Sequence, residues 1–274
     1  AWGAHLGFHP GLPTNAARLG ADLVVSSMHK LGGSLGQTAL VQLGHGPYAD
    51  RLEPLVDRAM RAMRSTSEST LLLASLDIAR RQIAVHGPET IGGSIASAQR
   101  IRDRVTADGR FRDATPQLTQ FPSVVDLDPL RVVIDTRSGG ISGNEARRLL
   151  FDDLGHHLEL STDDVVVCII GAGVAPDGDS IADALLRLPQ GSSAHRTVSS
   201  PPQAGPRRMT VREAWFADAE VIPAAQAVGR VSADSVAAYP PGIPNLMPGE
   251  EITADNLAFL QEVAAAPFGH VRGA

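Results

Sequence analysis

Two residue types are nearly absent from this 274-residue sequence, namely lysine and cysteine. Lysine and arginine together number 24, and because Lys30 is the one lysine, the other 23 are arginines. An arginine guanidinium keeps its proton in a protein, whereas a lysine amine can lose it and act as a nucleophile or form a Schiff base. The single lysine is therefore the first candidate functional residue.

The other absences exclude several classes of protein. The one cysteine, Cys168, lies in an apolar run typical of a strand, which excludes a disulfide framework and a cysteine-based zinc site. The longest apolar stretch, near residues 165–175, is too short to span a bilayer, and no charged-then-apolar leader opens the sequence. The net charge is -6 and basic residues cluster no further than in pairs, so there is no electrostatic footprint for nucleic acid. These absences predict a cytoplasmic protein.

The beginning of the sequence predicts two strands followed by helices. Short apolar runs at residues 21–27 and 38–43 are typical of strands in a sheet that is buried on both faces. Helical patterns follow, and we expect one helix to end near Gly87 and a second to run from Pro88 to Asp108, because proline ends or kinks a helix.

After a compositional break at residues 113–122, strand and helix patterns alternate. Ser142, with Glu145 at capping-box spacing, opens one of the predicted helices. The predicted strands cover residues 130–135 and 165–170, and the predicted helices cover residues 145–154 and 180–188. This alternation indicates an α/β small domain. We therefore predict one domain at residues 1–112 and a small C-terminal domain at residues 113–274, with a mobile loop at about 189–208.

A hydroxyl, an imidazole and the single amine occur together where the first predicted strand ends, in Ser27-Met28-His29-Lys30. A glycine-rich turn follows, which lets the backbone approach a ligand closely. Schiff-base chemistry with an anionic cofactor needs a lysine among such neighbours. A surface lysine on a strand-end turn is the alternative interpretation, but the uniqueness of Lys30 favours a function.

Four separated segments resemble motifs of the bacterial ornithine/lysine/arginine decarboxylases and occur in that family's order. They are Ala1-Trp2-Gly3-Ala4-His5, Ser27-Met28-His29-Lys30, Ser65-Thr66-Ser67 leading to residues 72–77, and Tyr239-Pro240-Pro241-Gly242-Ile243-Pro244 with residues 248–250. The resemblance runs essentially from end to end. It implies the α/β fold of the aspartate-aminotransferase class: the second half of a large domain, with a mixed sheet and helices, followed by an α/β small domain.

The resemblance also implies pyridoxal 5'-phosphate (PLP) as the cofactor and assigns roles to single residues. Lys30 would hold the cofactor covalently until the substrate amine displaces it. Ser27 and His29 would bind or orient the cofactor phosphate, and His29 is a candidate for the later protonation step. Ala1 would lie near the face of the cofactor ring.

Ser65 and Thr66 resemble the stretch that reaches the phosphate of the neighbouring subunit's cofactor. This similarity implies a homodimer or a higher homo-oligomer with sites at the subunit interface. The sequence departs from the family two and four residues further on, where Glu68 and Thr70 stand in place of a proline and an aromatic residue.

The reaction that the resemblance implies is decarboxylation of arginine, lysine or ornithine to a polyamine-type amine. The sequence begins with Ala1, just after the aspartate that pairs with the pyridinium nitrogen in the family, so we expect a truncated chain that is inactive alone. Two alternatives stay open. One is a non-catalytic fragment or dimerisation partner, and the other is an aminotransferase or racemase on the same fold.

Two further pairs of residues carry weaker signals. Glu213 and Glu220 are candidates for contacting the distal cation of the substrate, with solvated helix-face carboxylates as the alternative. His5 and His9 are four residues apart, but neighbouring glycine and proline indicate a loop, and no third ligand is evident. We therefore predict no metal site.

Overall fold

The computed structural model describes residues 3–64, 66–173, 175–191, 199–238, 242–263 and 270–273. The chain divides into two compact units, residues 1–194 and residues 195–274. Helices and strands are mixed in both units, which confirms the predicted α/β class.

The first unit begins with a hairpin and ends with helices and a sheet. Its elements are β1 (Leu23–Ser27), β2 (Ala39–Leu43), α1 (Ala49–Met63), α2 (Thr70–Asp108), β3 (Arg112–Asp113), β4 (Arg131–Asp135), α3 (Gly143–Asp152), β5 (Leu160–Ser161), β6 (Val165–Ile169) and α4 (Gly178–Arg187). Strands β1 and β2 pair antiparallel, and a second antiparallel sheet has the order β3-β4-β6-β5.

The core of the first unit lies between the second sheet and helices α2, α3 and α4. Alternate residues of β4 and β6 are buried, as expected for strands with one face against a core. Cys168 is one of these residues, and burial raises the pKa of its thiol to about 12, so it packs in the core rather than acting as a nucleophile. The predicted cap is confirmed, because the Ser142 hydroxyl accepts a hydrogen bond from the backbone N–H of Glu145.

Helix α2 runs without interruption through Gly87 and Pro88, so the prediction of two helices is wrong. A proline inside a helix costs about 3 kcal/mol, because it removes a backbone hydrogen bond and crowds the preceding turn. Here burial on either side outweighs that cost, since Ile83 and Ile91 are both core residues. Gly87 is itself buried, and a Cβ there would lie 3.3 Å from the Phe8 carbonyl oxygen. Tertiary packing thus overrides the local signal.

The hairpin exposes apolar side chains, so the expectation of a sheet buried on both faces is wrong for the described residues. Leu23, Val25 and Val41 are 45%, 57% and 39% exposed. They share one face, because Leu23 and Val25 are two residues apart and Val25 lies opposite Val41. The other face carries Ser26 and Leu40, and it faces the core.

The compact units divide at residues 194 and 195, whereas the sequence predicts a domain boundary at residues 112 and 113. The reason for the difference is packing, because α2 lies against α4 and the second sheet. Residues on both sides of position 112 therefore share one core. The predicted boundary stays a prediction about the family's domains.

The second unit is built from short elements. They are α5 (Val211–Phe216), β7 (Glu220–Pro223), β8 (Val236–Ala237), β9 (Pro244–Leu246), α6 (Ala254–Val263) and β10 (His270–Gly273). Strand β7 pairs antiparallel with β10, and β8 pairs antiparallel with β9, around a small core that includes Leu246, Ile252 and Leu260. In the part of the chain that the structure describes, no helix is both long enough and apolar enough to cross a bilayer.

Candidate active site

The turn that leaves strand β1 carries the single lysine. Met28 is buried, His29 is half-buried and Lys30 is exposed. The Lys30 backbone N–H donates to the Ser27 carbonyl oxygen at 3.4 Å, and the Lys30 carbonyl oxygen accepts from the Gly33 N–H at 3.3 Å. The backbone of Lys30 is therefore held on both sides, while the residue stays accessible to a ligand.

Thr38, directly before strand β2, anchors this turn. Its carbonyl oxygen accepts hydrogen bonds from the backbone N–H of Met28 at 3.1 Å and of His29 at 3.3 Å. The same oxygen lies 2.7 Å from Nδ1 of His29. Thr38 is 5% exposed, so these contacts are shielded from water. Sequence reasoning missed Thr38, because these three contacts use its backbone carbonyl and so do not depend on which side chain the residue carries.

The turn is also fixed to helix α2. The backbone N–H of Leu35 donates to the Ser75 hydroxyl at 2.8 Å, across 40 positions of sequence. Thr66 is exposed and lies shortly before α2. The N-cap of α2 is Ser69, whose hydroxyl accepts a hydrogen bond from the Leu72 N–H. Two predicted cofactor contacts, Ala1 and Ser65, lie outside the described residues.

Gly32 allows the turn to close on itself. A Cβ at this position would lie 2.5 Å from the carbonyl oxygen and 2.6 Å from Sδ of Met28, and Met28 is itself buried. Contacts this short do not occur in folded proteins, so a side chain here requires the turn to shift. Close packing, rather than an unusual backbone angle, explains the glycine.

We expect Gly32→Ala to destabilise the first unit by about 1–3 kcal/mol, the usual cost of overpacking. Urea unfolding measures the change, and hydrogen–deuterium exchange of peptides from residues 23–43 locates it. Gly36→Ala is the matched control, because a Cβ at Gly36 meets nothing within 4 Å. Equal stability of the two variants would contradict the packing argument.

Ser27, His29 and Lys30 form a donor set whose chemistry fits PLP. A primary amine can bind the cofactor aldehyde, and a hydroxyl and an imidazole are common partners of a phosphate. All three occur within four residues on one turn, where Ser27 and His29 are partly exposed and Lys30 is exposed. Lys30 would therefore hold the aldehyde end, with Ser27 and His29 at the phosphate.

The two predicted substrate carboxylates lie in the second unit and have other partners. Glu213 completes a capping box with Thr210 at the start of α5, and hydrogen bonds from the backbone and side chain of Thr210 lower the pKa of Glu213. Glu220 lies on β7 and pairs with Arg230 at 2.8 Å. Their role toward a substrate cation stays a prediction.

His5 and His9 have separate environments. His5 is fully buried, and its Nε2 lies 3.0 Å from Oδ2 of Asp128. Nδ1 of His9 accepts from the Gly11 N–H at 2.9 Å. Within the described ranges, no three His, Cys, Asp or Glu side chains are placed to hold a metal ion. Sequence reasoning missed the contact of His5 with Asp128, since 123 positions separate the two residues.

Comparison with known proteins identifies two matching domain profiles. Residues 1–136 match the Orn/Lys/Arg decarboxylase major domain, and residues 194–267 match the Orn/Lys/Arg decarboxylase C-terminal domain. The chain is 33% identical to the arginine decarboxylase of Bacillus subtilis over 95% of its own length and 54% of that protein. It is 35% identical to the arginine decarboxylase of Halalkalibacterium halodurans over 96% of its own length and again 54% of that protein.

Solved structures show the same fold. A lysine decarboxylase of Francisella novicida superposes with a TM-score of 0.72 at 16% identity, over all of this chain and 52% of that protein. Lysine decarboxylase A of Pseudomonas aeruginosa superposes with a TM-score of 0.71 at 18% identity, over 94% of this chain and 47% of that protein. The chain thus spans about half the length of the relatives that it matches.

Proposed function

Because the chain belongs to the Orn/Lys/Arg decarboxylase family, we propose that it serves PLP-dependent decarboxylation of a basic amino acid, with Lys30 as the covalent anchor of the cofactor. The observation that carries this proposal is the position of Lys30. It is the single lysine of the chain, it lies accessible on a fixed turn, and it falls within the match to the family's major domain.

The proposed roles of the cofactor and of the residues that hold it follow from the chemistry of each group. Bound PLP supplies an electrophilic aldehyde and a ring that accepts the electron pair left behind when CO₂ departs. The Lys30 amine would hold the cofactor covalently until the substrate amine takes its place. The Ser27 hydroxyl and the His29 imidazole would hold the phosphate end.

The substrate belongs to the basic amino acids. Two curated relatives are named arginine decarboxylases, and the solved structures are named lysine decarboxylases. Arginine, lysine and ornithine share an α-carboxylate and a distal cation. They differ in the length of the side chain that carries this cation and in the shape of the cation itself. Carboxylates such as Glu213 and Glu220 have the charge needed to meet it, as a prediction from their residue type.

The test is a CO₂-release assay on the purified natural polypeptide that contains this sequence. We expect the purified protein, supplied with PLP, to release CO₂ from at least one of arginine, lysine and ornithine. The Lys30→Ala variant should fall to the rate of buffer with free PLP. Amine transfer or racemisation without CO₂ would instead indicate the alternative activities of this fold, and would contradict the proposal.

A second candidate function is a non-catalytic partner chain. The observation in its favour is that the chain spans 54% of each of the two arginine decarboxylases to which it is similar. On this hypothesis the 274-residue chain forms homodimers, or binds a complementary polypeptide, and shows no turnover alone. Sedimentation velocity measures the association, and turnover by the isolated chain would refute the idea.

A further inference from the structure

The contact between His29 and Thr38 determines which ring nitrogen of His29 can react. The acceptor is a backbone carbonyl oxygen, 2.7 Å from Nδ1, and a carbonyl oxygen has no proton to donate. Nδ1 must therefore carry the proton of this hydrogen bond, and in the neutral ring the lone pair lies on Nε2. We propose that Thr38 is a positioning residue that makes Nε2 the working nitrogen of His29.

The carbonyl of Thr38 is well fixed for this role. It accepts two further hydrogen bonds, from the backbone N–H groups of Met28 and His29. The Thr38 hydroxyl donates to the Leu35 carbonyl oxygen at 2.8 Å and also contacts the Ser34 hydroxyl. A flip of the imidazole would place a C–H group against the carbonyl and lose the hydrogen bond, so the ring has one preferred orientation.

The fixed orientation limits what His29 can do in the proposed active site. The neutral ring offers only a lone pair at Nε2, so it accepts a proton or a hydrogen bond there. It donates from Nε2 to an anionic group, such as a phosphate, only after that nitrogen has taken up a proton. Both states use the same nitrogen and the same ring orientation, because Nδ1–H stays on the Thr38 carbonyl throughout.

This inference rests on the proposed function for its consequence, but its geometry is tested on the chain without cofactor. Nitrogen-15 labelled histidine distinguishes the two tautomers by NMR, and His29→Gln assigns the His29 signals among the nine histidines. We expect the Nδ1–H form in roughly fivefold excess or more, as one well-formed hydrogen bond provides. An excess of the Nε2–H form would overturn the proposal.

Two variants test the contribution of Thr38 itself. Thr38→Val keeps the carbonyl but removes the hydroxyl contacts with Ser34 and Leu35, and we expect it to lower the excess at least about twofold. Thr38→Ser keeps the hydroxyl and should restore the wild-type ring signals. Because all three proteins keep the carbonyl, identical signals would overturn the part of the proposal that gives the Thr38 hydroxyl a role in fixing it.

Covalent trapping of PLP on Lys30, measured on the same samples, reports the proposed function separately. Trapping without the Nδ1–H form would overturn the inference and leave the proposed function standing. The Nδ1–H form without trapping would have the opposite meaning, since the ring would be oriented in a chain that does not anchor the cofactor.

Discussion

Lys30→Arg is expected to abolish covalent attachment of PLP to this chain. Arginine keeps the positive charge and much of the length of the side chain, but its guanidinium stays protonated and forms no Schiff base. Since the chain has no other lysine, only the terminal amine remains as a competing group. Borohydride reduction followed by mass spectrometry of the intact protein measures the attachment, and peptide mapping locates it at Lys30.

The matched control tests whether any accessible lysine of this protein would attach PLP covalently. Arg80 lies on α2 with half of its side chain exposed, so Arg80→Lys in the Lys30→Arg background moves the single lysine to an ordinary surface. We expect little attachment to this protein at PLP concentrations that saturate the wild type. Equal labelling of the two lysines would contradict a dedicated site around Lys30.

The sequence predicted the positions of strands β1 and β2 and the α/β alternation well, because both have local signals. Strands β1 and β2 begin within two residues of their predicted positions, and Ser142 caps α3 as its spacing with Glu145 indicated. The error at Pro88 has a different origin. Whether a proline ends a helix depends on what the flanking residues bury, and burial is decided by distant parts of the chain.

The candidate site divides in the same way. Lys30 was selected as a candidate because a unique residue type in a strand-end turn is visible in the sequence, and its neighbours Ser27 and His29 were selected with it. Thr38 was not selected, because its proposed role belongs to its backbone carbonyl and every residue has a carbonyl. Asp128 was missed because its partner, His5, is 123 residues away.

The exposed face of the hairpin shows a third limit of sequence reasoning. Once a run is predicted to be a strand, every second residue is expected on one face, and Leu23 and Val25 do share one. The pattern does not say what covers that face. Among the described residues nothing covers this face, and its apolar side chains are exposed. The prediction of burial on both faces was therefore wrong, although the positions of the strands were predicted correctly.

Asp128→Asn is expected to destabilise the first unit by about 2–3 kcal/mol at neutral pH, since it leaves buried donors with a poorer acceptor. The Asp128 carboxylate accepts from Nε2 of the fully buried His5 and from the Leu130 N–H, and it lies 3.4 Å from Nε of Arg131. Urea unfolding measures the loss. Hydrogen–deuterium exchange of residues 3–12 reports whether the segment around His5 opens.

The pH dependence of this effect has a definite sign. Burial alone raises the pKa of Asp128, but the hydrogen bond and charge of His5, the Leu130 N–H and the charge of Arg131 together lower it below its ordinary value. The unfolded chain therefore binds a proton at a higher pH than the folded one, and the stabilisation is complete above the ordinary pKa, about 3.9. It is lost as the pH falls from there through the lowered pKa of the folded state. The difference between wild type and Asp128→Asn should consequently be largest at neutral pH and shrink in acid.

Asp126→Ala is the control for a carboxylate on the same segment, because Asp126 is exposed and its side chain accepts only from the neighbouring Leu127 N–H among the described contacts. We expect it to change the free energy of unfolding by less than about 0.5 kcal/mol, as most surface substitutions do. Two results would contradict a stabilising contact of the Asp128 carboxylate with His5 and the start of β4. One is an Asp128→Asn variant as stable as Asp126→Ala, and the other is a loss of unfolding free energy that stays the same in acid. Because the Asp128 carboxylate joins His5 to the start of β4 in the second sheet, its loss should also speed exchange at residues 3–12 more than at the hairpin that carries Lys30.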